Sequence, residues 1–265
     1  MTIVLDEHNW AEEMIAEHSL GKKPFETMCR VARYYLDNGA QPKEVRHMLD
    51  LFLLQCDHTA SLTKWTESLD RALSFASKHK AIAIDGFSVT KPEMERIEAI
   101  ESKQAQRLAF TLLCLAKYWN AALGREDSWV NNKDSEIMRM ANINTSIRCQ
   151  CRLYHDLREA GLIQFSKRVD NTTVRVCFSE PGEEVMRVTD FRNLGYQYKM
   201  YHGEPFFVCS NCGITTRIEN VSAHGSRRGP KQKYCKECAA KVASRQRVEH
   251  NKRRNGKKAR KGEII

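Results

Sequence analysis

The sequence predicts a mainly α protein: an N-terminal helical bundle, a central helical module closed by a small β-hairpin, and a C-terminal four-cysteine module running into a basic tail. Three observations predict it. Apolar residues recur at helical spacing through most of the first 120 positions. Between Ile163 and Phe178 the period changes to alternation around the pair Asp170-Asn171, which tolerates a tight turn. Cys209-Ser-Asn-Cys212 and Cys235-Lys-Glu-Cys238 then form two Cys-x-x-Cys knuckles, and a run of Lys and Arg follows them. At 265 residues the chain is long enough for two or three domains. The expected limits are 1–90 for the bundle, 91–180 for the central module, 181–205 for a linker, 206–240 for the cysteine module and 241–265 for a partly disordered tail.

The first ninety residues read as four helices, Trp10–His18, Phe25–Asn38, Pro42–Cys56 and Ser61–His79. Gly39 follows the second, and Pro42 opens the third, where its missing N–H costs nothing. Their stripes (Met28, Val31, Ala32, Tyr35; Val45, Met48, Leu49, Phe52, Leu53; Trp65, Leu69, Ala72, Leu73, Ala76) are candidate core. Residues 82–92 read as a connector with a short extended piece. Thr90, with Glu93 three residues on, signals a capping box and a new helix.

From Lys103 to Asn120, Leu108, Leu112, Leu115, Ala116 and Trp119 mark one long buried helix. Trp129-Val130 reads as a very short strand, and Asn132 to Ala141 as a short helix. After the break Asn142-Ile-Asn-Thr, a helix capped by Thr145 or Ser146 turns Ile147, Cys151, Tyr154 and Leu157 inward and stops at Gly161. Two strands, 163–169 and 173–178, complete the hairpin.

This order, and the run Leu157-Arg158-Glu159-Ala160-Gly161-Leu162-Ile163, resembles the winged helix-turn-helix domains, where such a run ends the recognition helix and enters the first wing strand. The resemblance covers about 104–180. It implies a central winged helix whose recognition helix enters the major groove. Asn144, Thr145, Ser146, Arg148, Gln150, Arg152 and His155 would then face bases, with the wing residues Lys167, Arg168 and Arg175 at phosphates or the minor groove. Winged helices also dock proteins, so the resemblance leaves both uses open.

Each Cys-x-x-Cys turn lets two thiolates converge on one ion, and two turns complete a tetrahedral four-thiolate set. Cys209, Cys212, Cys235 and Cys238 are therefore expected to hold one structural Zn²⁺ in a zinc-ribbon-like module. Two disulfides, or four unrelated thiols, are the alternatives. Gly213 suits a knuckle that needs positive φ, Phe206 to Val208 reads as a strand leading in, and His224 is the one substitute ligand. No second cysteine framework emerges from Cys29, Cys56, Cys114, Cys149, Cys151 and Cys177.

The net charge of +10 is unevenly placed: residues 201–265 carry 16 Lys+Arg against 5 Asp+Glu, whereas residues 1–200 carry 27 against 28. Lys241, Arg245, Arg247, Lys252, Arg253, Arg254, Lys257, Lys258, Arg260 and Lys261 crowd the tail, with Arg227, Arg228, Lys231 and Lys233 between the cysteine pairs. Such a cluster is the footprint of phosphate-backbone binding. A solubilising tail is the plainer alternative. A membrane-surface helix would need an apolar face, and beyond Val242 and Val248 there is almost none. Ala239 to Arg254 is expected to be helical, with disorder after Gly256. In the linker, Phe191, Tyr196, Tyr198 and Tyr201 suit packing on the central module, or stacking on bases.

A phosphate-binding glycine loop, a His-Glu-x-x-His pair, a nucleophile elbow and a dinucleotide fingerprint are all missing from the sequence, so a binding protein is expected rather than an enzyme. Residues 1–20 lack the apolar core of a signal peptide and no run approaches ~20 apolar residues, which predicts a soluble, intracellular chain with reduced thiols. The helix Arg107 to Trp119 ahead of the winged module and the four-cysteine end make the chain similar to uncharacterised proteins of phages and mobile elements of Gram-positive bacteria. That resemblance implies a role in replication, transcription or host takeover in a bacterial cytoplasm, at the nucleoid or in a phage-infected host. Two functions are carried forward: a DNA-binding regulator or replication accessory factor, and a protein-binding inhibitor or adaptor that docks on a host polymerase, helicase or defence nuclease and inserts its basic tail in the nucleic-acid channel.

Overall fold

The computed structural model describes residues 3–167, 173–219 and 231–262, with side chains up to Lys252. The described residues are mainly helical, with three small sheets, and fall into two compact units. Among them, no helix is long and apolar enough to cross a membrane.

The first unit comprises residues 1–88, 117–127 and 187–189. Its body is four helices, α1 (Glu7–Ala16), α2 (Pro24–Asp37), α3 (Pro42–Cys56) and α4 (Leu62–Ala76). The stripes close on a core of Met28, Val31, Ala32, Val45, Leu49, Phe52, Leu53, Leu69 and Ala72. Each buried Leu, Phe or Val contributes about 1.5–3 kcal/mol, so this seam is the main force holding the bundle. α1 starts three residues before the periodicity suggests, because Asp6 accepts from the Asn9 N–H at 3.0 Å and caps it. Glu7 in its first turn is 1 % exposed and paired with Arg30 and Arg33 of α2. The Tyr118 hydroxyl donates to the Val4 carbonyl at 3.2 Å.

The second unit comprises residues 89–116, 128–186 and 190–265. α5 (Lys91–Glu98) opens on the expected capping box: the Thr90 N–H donates to Glu93 Oε2 at 2.8 Å. The same buried carboxylate accepts from the Glu180 N–H at 3.0 Å, tying the helix start to the chain beyond the hairpin. α6 (Lys103–Leu123) is buried nearly all round between Ala105 and Ala116, the signature of a central helix. β2 (Trp129–Val130), α7 (Asp134–Met140), α8 (Ile147–Glu159), β3 (Ile163–Phe165) and β4 (Val174–Val176) follow. The three strands form one antiparallel sheet in the order β2-β4-β3, with Val130 opposite Val174 and Ile163 opposite Val176. Val174 and Val176 are buried and Arg175 between them is exposed, as alternation requires. Gly161 closes α8 at φ +70°, a conformation that strains other residues.

Two inward assignments on α8 are corrected. Leu153, Tyr154 and Leu157 are buried, but Ile147 is 78 % exposed and Cys151 is exposed. The spacing of the stripe is right, yet the first two turns of α8 stand clear of the core, and periodicity alone does not report where packing stops.

Residues 181–205, expected as a linker, contain β5 (Glu184–Val188), paired with β1 (Phe87–Thr90), and α9 (Leu194–Tyr201). Of the aromatics on α9, Tyr198 packs inward whereas Tyr201 is 41 % exposed. Tyr198 is buried, its ring 5.4 Å from that of Phe110 and its hydroxyl donating to Gln106 Oε1 at 3.0 Å. A Cβ on Gly195 would lie 2.0 Å from the Ala141 carbonyl oxygen, so only glycine lets α9 approach the α7–α8 turn this closely. Asn142 in that turn and Asn193 at the start of α9 both take left-handed φ, which Asn tolerates, and Asn142 Nδ2 donates to Asn193 Oδ1 at 3.0 Å. β6 (Phe206–Val208) and β7 (Thr215–Arg217) pair as a hairpin, and α10 (Lys236–Gly262) ends the description.

Candidate metal centre

Gly213 takes φ +72° directly after the first cysteine pair, and its N–H donates to the Cys209 carbonyl at 2.9 Å while the Cys209 N–H donates to the Ile214 carbonyl at 2.9 Å. This closes a tight knuckle that turns Cys209 and Cys212 the same way. The second pair is shaped by a helix start. Cys235 immediately precedes α10, Cys238 lies in its first turn, and the Ala239 N–H donates to the Cys235 carbonyl at 2.8 Å.

The four Sγ atoms lie within 4.8 Å of one another, and among the described residues they are the one such group of potential ligands. Cys209, Cys235 and Cys238 are buried and Cys212 is partly so. Cys212 Sγ and Cys235 Sγ are 3.8 Å apart. A tetrahedral ion held by thiolates at about 2.3 Å sets its ligand sulfurs roughly 3.8 Å apart, whereas a disulfide requires about 2.05 Å. The cysteines are all free thiols, so the arrangement fits a metal ion and the disulfide alternative fails.

N–H groups aimed at the sulfurs complete the cluster. The Cys235 N–H donates to Cys209 Sγ at 3.2 Å, the Cys238 N–H to Cys235 Sγ at 3.5 Å, and Asn211 Nδ2 to Cys238 Sγ at 3.2 Å. Burial opposes charge on Cys209, but the N–H groups of Cys235, Asn211 and Cys212 outweigh it and bring its thiol down to about 6. Burial pushes Cys212 up to about 12. Cys235 is also raised: the Cys238 N–H favours its thiolate, but burial and hydrogen bonds with neighbouring thiols prevail. Cys212 and Cys235 are therefore protonated at neutral pH and must each lose a proton to ligate. Binding at pH 7.5 should release at least two protons per ion, with affinity falling as pH drops, and calorimetry in buffers of different ionisation enthalpy counts them. Metal uptake without proton release would refute thiolate ligation.

The cluster is also fastened to the start of α9 in the same unit. Asn193 Nδ2 donates to the Thr215 carbonyl at 3.0 Å, Arg192 donates to the Cys212 carbonyl, and the Tyr196 and Phe206 rings lie 4.7 Å apart. Sequence reading missed Asn193, Arg192 and Asn211. Only Asn211 left a signal, as a polar residue inside a Cys-x-x-Cys turn.

The expected nucleic-acid contacts divide among three places. On and before α8, Asn144, Ser146, Arg148, Arg152 and His155 are exposed. Ser146 caps the helix by accepting from the Cys149 N–H, and the half-buried Thr145 accepts from Gln150 Nε2 at 2.9 Å. Lys167 and Arg175 are exposed at the hairpin, and Lys231 and Lys233 beside the cysteine cluster. Lys241, Arg245, Arg247 and Lys252 are exposed on α10, with positions 253, 254, 257, 258, 260 and 261 further along the same helix. Arg168, Arg227, Arg228 and His224, like the turn Asp170-Asn171, lie outside the described residues. The helix runs through Gly256 to Gly262, past the point where order was expected to end. One glycine costs a helix only about 1 kcal/mol, and its Lys, Arg and Ala neighbours are good helix formers.

The chain matches no protein-family model, no curated protein and no solved structure.

Proposed function

We propose that the protein binds nucleic acid, duplex DNA in particular, as a phage-type transcription regulator or replication accessory factor of the bacterial cytoplasm, and that it is not an enzyme. The observation that carries this reading is α10. Residues 236–262 hold 11 Lys+Arg against 2 Asp+Glu, and every described residue from Ala239 to Lys252 except Val242 is exposed. A stretch with a single half-buried residue gains little packing energy. Its like charges at i,i+4, such as Lys241 and Arg245, each cost it about 0.2–0.5 kcal/mol. A polyanion removes that cost and releases counterions as it binds.

In this reading the four cysteines hold one structural Zn²⁺ in a ribbon-like module that anchors α10. The filled four-thiolate set leaves the ion no open position and supplies folding energy only. The α6-β2-α7-α8-β3-β4 order and the β2-β4-β3 sheet support a winged helix whose α8 positions the complex.

The test is the salt dependence of binding to a fluorescent duplex. Log affinity should fall steeply with log salt, by about 0.9 per neutralised phosphate, and replacing Lys241, Arg245, Arg247 and Lys252 together by Gln should reduce the slope by up to ~3.6. An unchanged slope sinks the proposal. One observation favours the second reading, an adaptor or inhibitor docked on a host nucleic-acid machine: Ile147 is 78 % exposed and Phe165 40 % exposed on the module that would face bases. A protein partner that co-purifies after nuclease treatment would establish it.

A further inference from the structure

Helical register divides the surface of α10 into unlike strips. Ser244, Val248 and Asn251 follow one another at i, i+4 and i+7, which sets them on a single face, and position 255 continues it at i+11. All three are exposed, Val248 by 51 %. None is charged. Lys241, Arg245 and Lys252 line one edge of this strip and Arg247 lines the other. Glu249 falls on the far side of the helix.

A helix that merely neutralised phosphates would have no reason to keep cations off one face. We infer that α10 lies in the major groove of duplex DNA, with Ser244, Val248 and Asn251 reading base edges and the two cationic edges meeting the phosphates of the two strands. The inference rests on the polyanion-binding reading of α10 and adds the form of the nucleic acid and the residues that select its sequence.

The dimensions agree. An α-helix with side chains is about 10–12 Å across and the B-form major groove is about 12 Å wide. Ser244 to position 255 spans roughly 16 Å of helix, the length of four to five base pairs. Asn is the side chain that pairs in bidentate fashion with adenine N6 and N7, a hydroxyl accepts or donates at either partner, and an aliphatic group suits the thymine methyl. The alternatives fit less well. Residues 236–262 contain no Phe, Tyr or Trp on which single-stranded bases could stack, and the deep, narrow major groove of A-form RNA does not admit side chains. Glu237 sits seven residues before Ser244 on the same face, beside the cysteine cluster, and its charge limits the reading strip to the part of α10 beyond it.

The experiment is selection of preferred sites by the full-length metal-loaded protein from a random duplex library, followed by affinities for the selected site and a scrambled duplex. The expected result is a motif that includes adenine, and for Asn251→Ala a fall of about 5- to 150-fold in the ratio of selected to scrambled affinity. The motif matters together with the variant, because α8 could also select sequence. A ratio unaltered by Asn251→Ala overturns the groove reading, as does an equal loss on both duplexes. So does tighter binding to single strands or to duplex RNA. If binding stays steeply salt-dependent but no motif emerges, nucleic-acid binding stands and base reading by α10 falls. If no nucleic acid binds at any salt concentration, both fall.

Discussion

Cys209→Ser should abolish stoichiometric metal binding and unfold the hairpin β6–β7 together with the start of α10, while residues 3–180 keep their fold. The reasoning is energetic. Among the described residues the cysteine cluster has almost no apolar core of its own: Ile214 and Tyr234 pack against the four cysteines, and both are partly exposed. Metal binding contributes about 10–16 kcal/mol in small metal-folded modules, more than a typical domain's whole stability, so nothing else here can replace it. α9 marks the expected boundary. It touches the cluster through Asn193, Arg192 and Tyr196, but its own stability comes from the other side, from Tyr198 on Phe110, from Leu194 and from the Gly195 contact with the α7–α8 turn. Hydrogen exchange should therefore show loss of protection in 206–217 and retention in 194–201, with metal content falling to zero. A variant that kept one ion per chain would contradict the four-ligand set. Loss of protection through α9 and into 134–146 would show instead that the ion stabilises the whole second unit.

The features legible in the sequence are those written locally. The two Cys-x-x-Cys turns, Gly213, the Thr90 and Glu93 box, the Ser146 cap and Gly161 each act within a few residues, so their chemistry can be read without a fold. The stripes of α2, α3 and α4 are legible for the same reason, since a period needs only a window. What stayed hidden joins distant positions. Asn142 and Asn193 are 51 residues apart, and neither has a local signature that announces the other. Ile147 obeys the period of α8 but lies beyond the reach of the core, which depends on where α8 overhangs rather than on its sequence. The uncharged strip on α10 follows from helical register, which a count of charges along the chain does not report.

The second large effect should come from Glu7→Ala, which should destabilise the first unit by about 3–5 kcal/mol because it removes the buried carboxylate that two buried guanidinium groups share. Glu7 is 1 % exposed, as is Arg30, and Arg33 is 4 % exposed. One carboxylate serves both: Oε1 accepts from Arg30 Nε at 3.0 Å and from Arg33 Nη2 at 2.9 Å, and Oε2 accepts from the Ile82 N–H at 3.2 Å. Arg33 Nε has no hydrogen-bond partner. Aromatic faces lie over both guanidinium groups, with Trp10 5.0 Å from the Arg30 guanidinium carbon and Phe75 5.8 Å from that of Arg33, each such contact adding about 0.5–2 kcal/mol. They cannot substitute for an anion. Since a domain's net stability is only about 5–15 kcal/mol, the loss should move the urea midpoint by a large fraction, read from the fluorescence of Trp10, whose ring lies against Arg30. Glu7→Gln should cost less, because the amide oxygen still accepts one of the bonds. Replacing Glu7, Arg30 and Arg33 together by Leu, Met and Leu should recover most of the stability, as the desolvation of all three charges disappears at once. A single Glu7→Ala variant with an unchanged midpoint would mean that water reaches the arginines and that the triad is not the dry cluster its burial implies.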